Sequence, residues 1–244
     1  MKNISCCVLA FVVASALSTN SWAQTETLDE IIVTGSRIGG YDSEAVPVVH
    51  IKRRPDFMVV DAFVESDSRD ATRRSREINK VLDSLAKRAK STPNISLGLS
   101  RSFETDNDEI EYVVDFDLDA VEIRGGSRVD TSRVTLVIKS PILESDTSPD
   151  EVYERIESFI DSIDVSGRAV VKDYGDVNYS LIGISQYREP LLKLIAEDAQ
   201  RLREIFGENY QLSFSGLEEP VRWRISGAMQ LSIYFPYSSS LVAN

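Results

Sequence analysis

Residues 133–163 read RVTLVIKSPILESDTSPDEVYERIESFIDSI. The opening RVTLVIKS is a β-former run and predicts a strand. Ser148-Pro149-Asp150-Glu151 then predicts a helix start: Ser can cap, Pro fits the first turn, and Glu151 sits at the capping-box position. Val152, Ile156, Phe159, Ile160 and Ile163 form the apolar stripe, and Gly167 is the expected stop. A strand followed by an amphipathic helix sets the pattern for the rest of the chain.

Upstream, Phe57 to Glu65 reads as a strand. Asp67 or Ser68 can cap a helix reaching Lys90, with an apolar stripe of Ile78, Val81, Leu82, Leu85, Ala86 and Ala89. Its other face carries Arg69, Arg73, Arg74, Arg76, Lys80, Lys87 and Arg88. Thr92-Pro93-Asn94 ends it. Residues 95–103 alternate as a strand, and Tyr112 to Ile123 supplies one or two more.

Downstream, 168–173 and 177–184 read as a hairpin around Tyr174-Gly175-Asp176. A third helix is predicted from Gln186 to Phe206, ended by Gly207. Strands follow at Tyr210–Ser215, Val221–Ser226 and Met229–Pro236. The fold class is α+β: largely antiparallel sheets with three main helices packed on them. Two similar halves divided near residue 145 are compatible with this order.

The 244 residues carry 27 Lys and Arg against 39 Asp and Glu, a net charge of −12. That balance argues against a nucleic-acid partner. Lys2, the apolar run Val8 to Leu17 and Ser21-Trp22-Ala23 predict a signal peptide over 1–23, cleaved after Ala23. The apolar run is too short for a spanning helix, so any membrane association is expected to be peripheral. Both cysteines, Cys6 and Cys7, lie in the segment 1–23 that cleavage removes, so the expected mature chain has neither disulfide nor thiol. The organisation expected is a signal peptide (1–23), a flexible arm and linker (24–55), an α+β domain (56–237) and a C-terminal tail (238–244). An acidic exported chain of this kind is expected in the periplasm, with the outer membrane as its possible address.

Behind the signal stands Thr27-Leu28-Asp29-Glu30-Ile31-Ile32-Val33-Thr34-Gly35-Ser36-Arg37-Ile38. It closely resembles the N-terminus of mature TonB-dependent outer-membrane receptors, where the segment is the TonB box. The resemblance implies that Asp29, Glu30, Ile31, Ile32, Val33, Thr34, Gly35, Ser36 and Arg37 pair as an added strand with the C-terminal domain of TonB. Ile31-Ile32-Val33 is also a β-former run that can add to a sheet edge. The alternative is that this run is the first strand of the globular domain itself. At 221 mature residues there is no room for a receptor's plug and barrel. The element order over 56–237 resembles the SIMPL-domain family of exported bacterial proteins, on Asp56 to Ala89 and on Ile195-Ala196-Glu197-Asp198-Ala199. That resemblance implies a non-enzymatic envelope domain capable of self-association.

Catalytic and metal chemistry are sparse. His50 is the only histidine and falls in the linker, so nucleophilic triads and zinc sites lack their residues. No cofactor motif is present. Asp115, Asp117 and Asp119 alternate as on a strand face, with Ala120 and Gly126 where a calcium loop needs Gly and Glu; Asp106, Asp108 and Glu109 form a similar acidic loop, and a weak calcium site between the two is the alternative to a solvated face. Arg222-Trp223-Arg224 predicts outward Arg and inward Trp. Tyr234, Phe235 and Tyr237 suggest an exposed aromatic edge for a homo-oligomer.

The function expected is therefore non-enzymatic: partner docking through the N-terminal arm, accessory to TonB-dependent transport. The alternatives are a carboxylate-dependent envelope hydrolase, which needs a carboxylate of raised pKa, and a small-ligand carrier feeding a receptor.

Overall fold

The computed structural model describes residues 30–33, 46–104, 109–207 and 209–243. The segment 1–23, Asp29 and the stretch Thr34 to Arg37 lie outside them.

The core is organised by β3 (Phe57–Ser66). It pairs antiparallel with β7 (Ser132–Pro141) from Phe57↔Pro141 to Ser66↔Ser132, and on its other edge with β8 (Ala169–Ile182). From β8 the sheet continues through β1 (Glu30–Val33), β5 (Glu109–Asp115) and β4 (Ser96–Glu104) back to β7. It thus closes into a six-stranded antiparallel barrel, with β6 (Arg124–Gly125) appended to β7. The class is α+β, as the pattern of the sequence implies. The sheet is continuous across residue 145, since β3 pairs with β7 before that position and with β8 after it.

Period-two alternation divides each strand between two faces. Met58, Val60, Ala62 and Val64 are fully buried in the main core with the helices. Val59 belongs to a second, smaller cluster with Ile32, Val113 and Val137, against which Phe57 packs. This cluster fills the barrel interior. Gly98 faces it from β4, where an added Cβ would stand 2.4 Å from Val113 Cγ1. The walls come too close there for any side chain.

α1 (Ala71–Ser91) is capped by Asp70, whose side chain accepts from Arg73 N at 2.7 Å. Ser68, expected as a cap, instead donates to the buried Glu77 carboxylate at 2.8 Å. α2 (Pro149–Asp161) starts at the expected Ser148, but Glu151 reaches past it to Thr147 N at 2.9 Å. α3 (Arg188–Phe206) follows a short 3-10 turn at Ile184–Tyr187 and ends at Gly207, φ 78°.

Four local readings are corrected. The hairpin expected around Tyr174-Gly175-Asp176 is one continuous strand, β8, with a bulge opposite Val60 to Ala62. Gly175, at φ 78°, takes the bulge conformation that looked like a turn. The Asp115–Asp119 strand face does not form: β5 ends at Asp115, and Asp117 accepts from Asp119 N in a 3-10 turn. The linker and tail both carry strands. β2 (Ile51–Arg53) pairs with β11 (Gln230–Tyr234), which also pairs with β10 (Arg222–Gly227). β12 (Ser238–Ala243) pairs with β9 (Tyr210–Ser215). Finally, Tyr234 and Phe235 are both buried, and Tyr237 packs on Phe214 with ring centroids 6.0 Å apart. β11 ends at Tyr234, so alternation no longer applies, and the Arg188 guanidinium covers Phe235 5.0 Å from its centroid.

Candidate functional site

Glu30-Ile31-Ile32-Val33 forms β1, the short strand between β8 and β5. It pairs with β8 from Glu30↔Ile182 to Val33↔Tyr179, and with β5 at Ile31↔Tyr112. Of the sequence's two readings of this run, the strand of the globular domain is the position it occupies here. Its β-former composition explains that it is a strand; the burial of its side chains explains which one. Ile31 is 1% exposed and lies in the main core, whereas Ile32 lies in the barrel interior. One short strand thus contributes to both clusters.

Glu30 anchors the segment. Its Oε2 lies 2.5 Å from Lys139 Nζ, and its Oε1 accepts from Ser180 Oγ at 2.5 Å. β1 and β7 are three strands apart either way around the barrel, so the ion pair spans the interior between opposite walls. Lys139 Nζ also stands 4.9 Å from the Phe57 ring centroid. Both side chains are nearly buried, which makes the pair costly to break by removing one member.

A second group of charges lies where α1, β3 and β8 meet. Glu77 accepts from Ser66 Oγ at 2.7 Å, Ser68 Oγ at 2.8 Å, Arg73 Nε at 2.8 Å and Arg168 N at 3.3 Å. Burial works to raise this carboxyl, but the hydrogen bonds outweigh it and hold its pKa at about 2. Beyond it, Asp67 pairs with Arg168 at 2.6 Å, and Arg133 bridges Glu65, at 2.9 Å, to the Tyr174 hydroxyl, at 3.1 Å. These contacts tie strand ends together; they are structural.

Asp61 differs. Burial, reinforced by the negative charge of Asp176, raises its carboxyl above the ordinary range. The β8 bulge brings these two residues together, so sequence spacing gave no signal of the pair. The other residues singled out by sequence take quieter places. His50 Nδ1 lies 2.8 Å from Pro47 O. Arg222, Trp223 and Arg224 are all half-buried on β10. Among the described residues no group of three or more His, Cys, Asp or Glu could hold a metal ion, and Asp106 and Asp108 lie outside them. No helix among the described residues is long and apolar enough to cross a membrane. Comparison with protein-family models, curated proteins and solved structures finds no match to this chain.

Proposed function

We propose that this chain is a non-enzymatic periplasmic protein that docks a partner by strand exchange, with Asp29 to Arg37 as the docking segment. The partner is the C-terminal domain of TonB, and the role is accessory to TonB-dependent transport. The observation that supports this is the position of β1. Glu30 to Val33 of the TonB-box-like run already hold an extended backbone, in a strand of four residues inserted between two longer ones. Leaving β8 and β5 frees the same N–H and C=O groups for a partner's sheet edge. Docking and barrel closure then compete for one strand.

The competition has a definite cost. Release exposes Ile31 and Ile32, each worth about 1.5–3 kcal/mol when buried, and opens the Glu30–Lys139 pair. Docking is therefore expected to be weaker than for the isolated segment.

Backbone NMR of the mature chain, titrated with the TonB C-terminal domain, tests this reading. Shifts at 28–38 together with the strand partners 179–182 and Lys139 are expected. Absence of shifts at near-millimolar concentration would leave β1 as a barrel strand and nothing more.

One observation favours a second reading, a carboxylate-dependent envelope hydrolase: burial and the neighbouring Asp176 raise the Asp61 carboxyl, the direction of shift that a general acid needs. Hydrolysis of cell-wall fragments by the purified protein, lost in Asp61→Asn, would support it.

A further inference from the structure

Among the described helices, α1 alone carries an excess of cations. Within Ala71–Ser91 stand seven cations and two carboxylates, net +5, in a chain of −12. One of those carboxylates, Glu77, is buried on the inner side.

Arg73, Arg76, Lys80, Asp83, Lys87 and Lys90 follow one another at steps of three and four residues, and all are exposed. They form a single line along the helix, about 25 Å long at 1.5 Å per residue. The line is opposite the stripe of Ile78, Val81, Leu82 and Leu85 that packs on the barrel. Asp83 is its one acid, and the capping Asp70 stands at its beginning. Arg73 is bound to Glu77 at 2.8 Å, whereas Arg76, Lys80, Lys87 and Lys90 have no ion-pair partner among the described residues. Arg76 and Lys80 on one side of Asp83, and Lys87 and Lys90 on the other, thus leave the line with an excess of positive charge.

We propose that this stripe is a docking face for an anionic lipid surface. Charge complementarity selects the occupant. The line is made of charged side chains, five of its six members cationic, because the apolar residues of α1 are spent on the core. A protein partner needs an apolar, Lys-poor interface centre, which this face does not offer. A layer of lipid phosphates needs only a row of cations, each adding to the attraction and together screened by salt. The acids elsewhere in the chain then orient the molecule, with α1 toward the membrane. This inference is independent of what β1 does.

Cosedimentation of the mature chain with vesicles tests it. The probes are phosphatidylcholine vesicles and vesicles in which part of that lipid is replaced by phosphatidylglycerol. Capture by the phosphatidylglycerol vesicles alone, at low salt and lost at high salt, is expected. The triple variant Arg76→Gln/Lys80→Gln/Lys87→Gln should weaken capture by at least about tenfold. Its circular dichroism and melting should be unchanged, because the three side chains are exposed. Retained capture in the triple variant, equal capture by neutral vesicles, or none at low salt would overturn the proposal. So would salt-sensitive self-association that the triple variant abolishes without any vesicle binding, which would assign the stripe to a second copy of the chain.

Discussion

Glu30 on β1 and Lys139 on β7 meet at 2.5 Å across the interior of the barrel, from walls three strands apart. The pair fastens the N-terminal strand to the far side of the sheet. Truncating Lys139 to Ala leaves the Glu30 carboxylate nearly buried, with Ser180 as its hydrogen-bond donor among the described residues. The expected loss is about 3–5 kcal/mol in urea unfolding. Replacing both, as Glu30→Gln with Lys139→Met, should recover most of it, because no charge is then left buried alone. Equal losses in the single and double variants would mean that the pair is not coupled.

Gly167 and Glu77 are similarly matched. Gly167 sits at φ 65°, and a Cβ there would fall 2.2 Å from Glu77 Oε1. Gly167→Ala is expected to destabilise by about 1–3 kcal/mol, from backbone strain and from displacing the carboxylate. Glu77→Gln, which keeps the shape, should cost about 1–3 kcal/mol through its weakened hydrogen bonds.

The same carboxylate sets an acid limit. Its folded pKa, about 2, is below the ordinary 4.5. The stability it contributes is therefore present above about pH 4.5 and lost as the pH falls toward 2. Urea midpoints across that window should decline more steeply in the parent than in Glu77→Gln.

Asp61 has the opposite sign. Its pKa is raised from 3.8, so its contribution is full below that value and lost as the pH rises through the folded pKa. At neutral pH the charge opposes folding. Asp61→Asn is expected to raise stability at pH 7 and to have little effect near pH 3. A loss at pH 7 would show that the ionised carboxylate has a favourable partner.

Gly98→Val probes closure of the barrel. The added Cβ meets Val113 Cγ1 at 2.4 Å and Val137 Cγ2 at 3.3 Å. Overpacking should cost about 1–3 kcal/mol, read as a lower melting temperature. An unchanged melting temperature would mean that the strands part easily at this point.

The helices were legible because each carries its own stripe, Ile78 to Leu85 in α1 and Val152 to Phe159 in α2, and because Ser148 starts α2 and Gly207 ends α3; the stop expected for α2 at Gly167 was wrong, since that helix ends at Asp161 and is capped by Ser162. Antiparallel sheets were legible from alternation and short connections. Barrel closure was not, because it depends on β3 pairing with both β7 and β8, and neither pairing is local. β8 was misread for a specific reason: Gly175 at positive φ serves a bulge as well as a turn. The Asp61–Asp176 pair depends on that bulge and was invisible with it. The run Glu30–Val33 was legible as a strand, but its neighbours were not. Its pairing residues, Tyr179 to Ile182, lie about 150 positions away, and nothing local to the run specifies them.

The central claim, that one strand is exchanged between barrel and partner, is tested most directly by locking it in place. Ile32 and Ser180 are paired directly across β1 and β8. Ile32→Cys with Ser180→Cys, made in the mature chain, introduces a disulfide within reach of a cross-strand pair. Binding to the TonB C-terminal domain is measured on the oxidised and reduced forms, with circular dichroism confirming that both are folded. The account predicts binding by the reduced form and none by the oxidised form. Equal binding by both forms would contradict strand exchange, because the partner would then be held without β1 leaving the barrel.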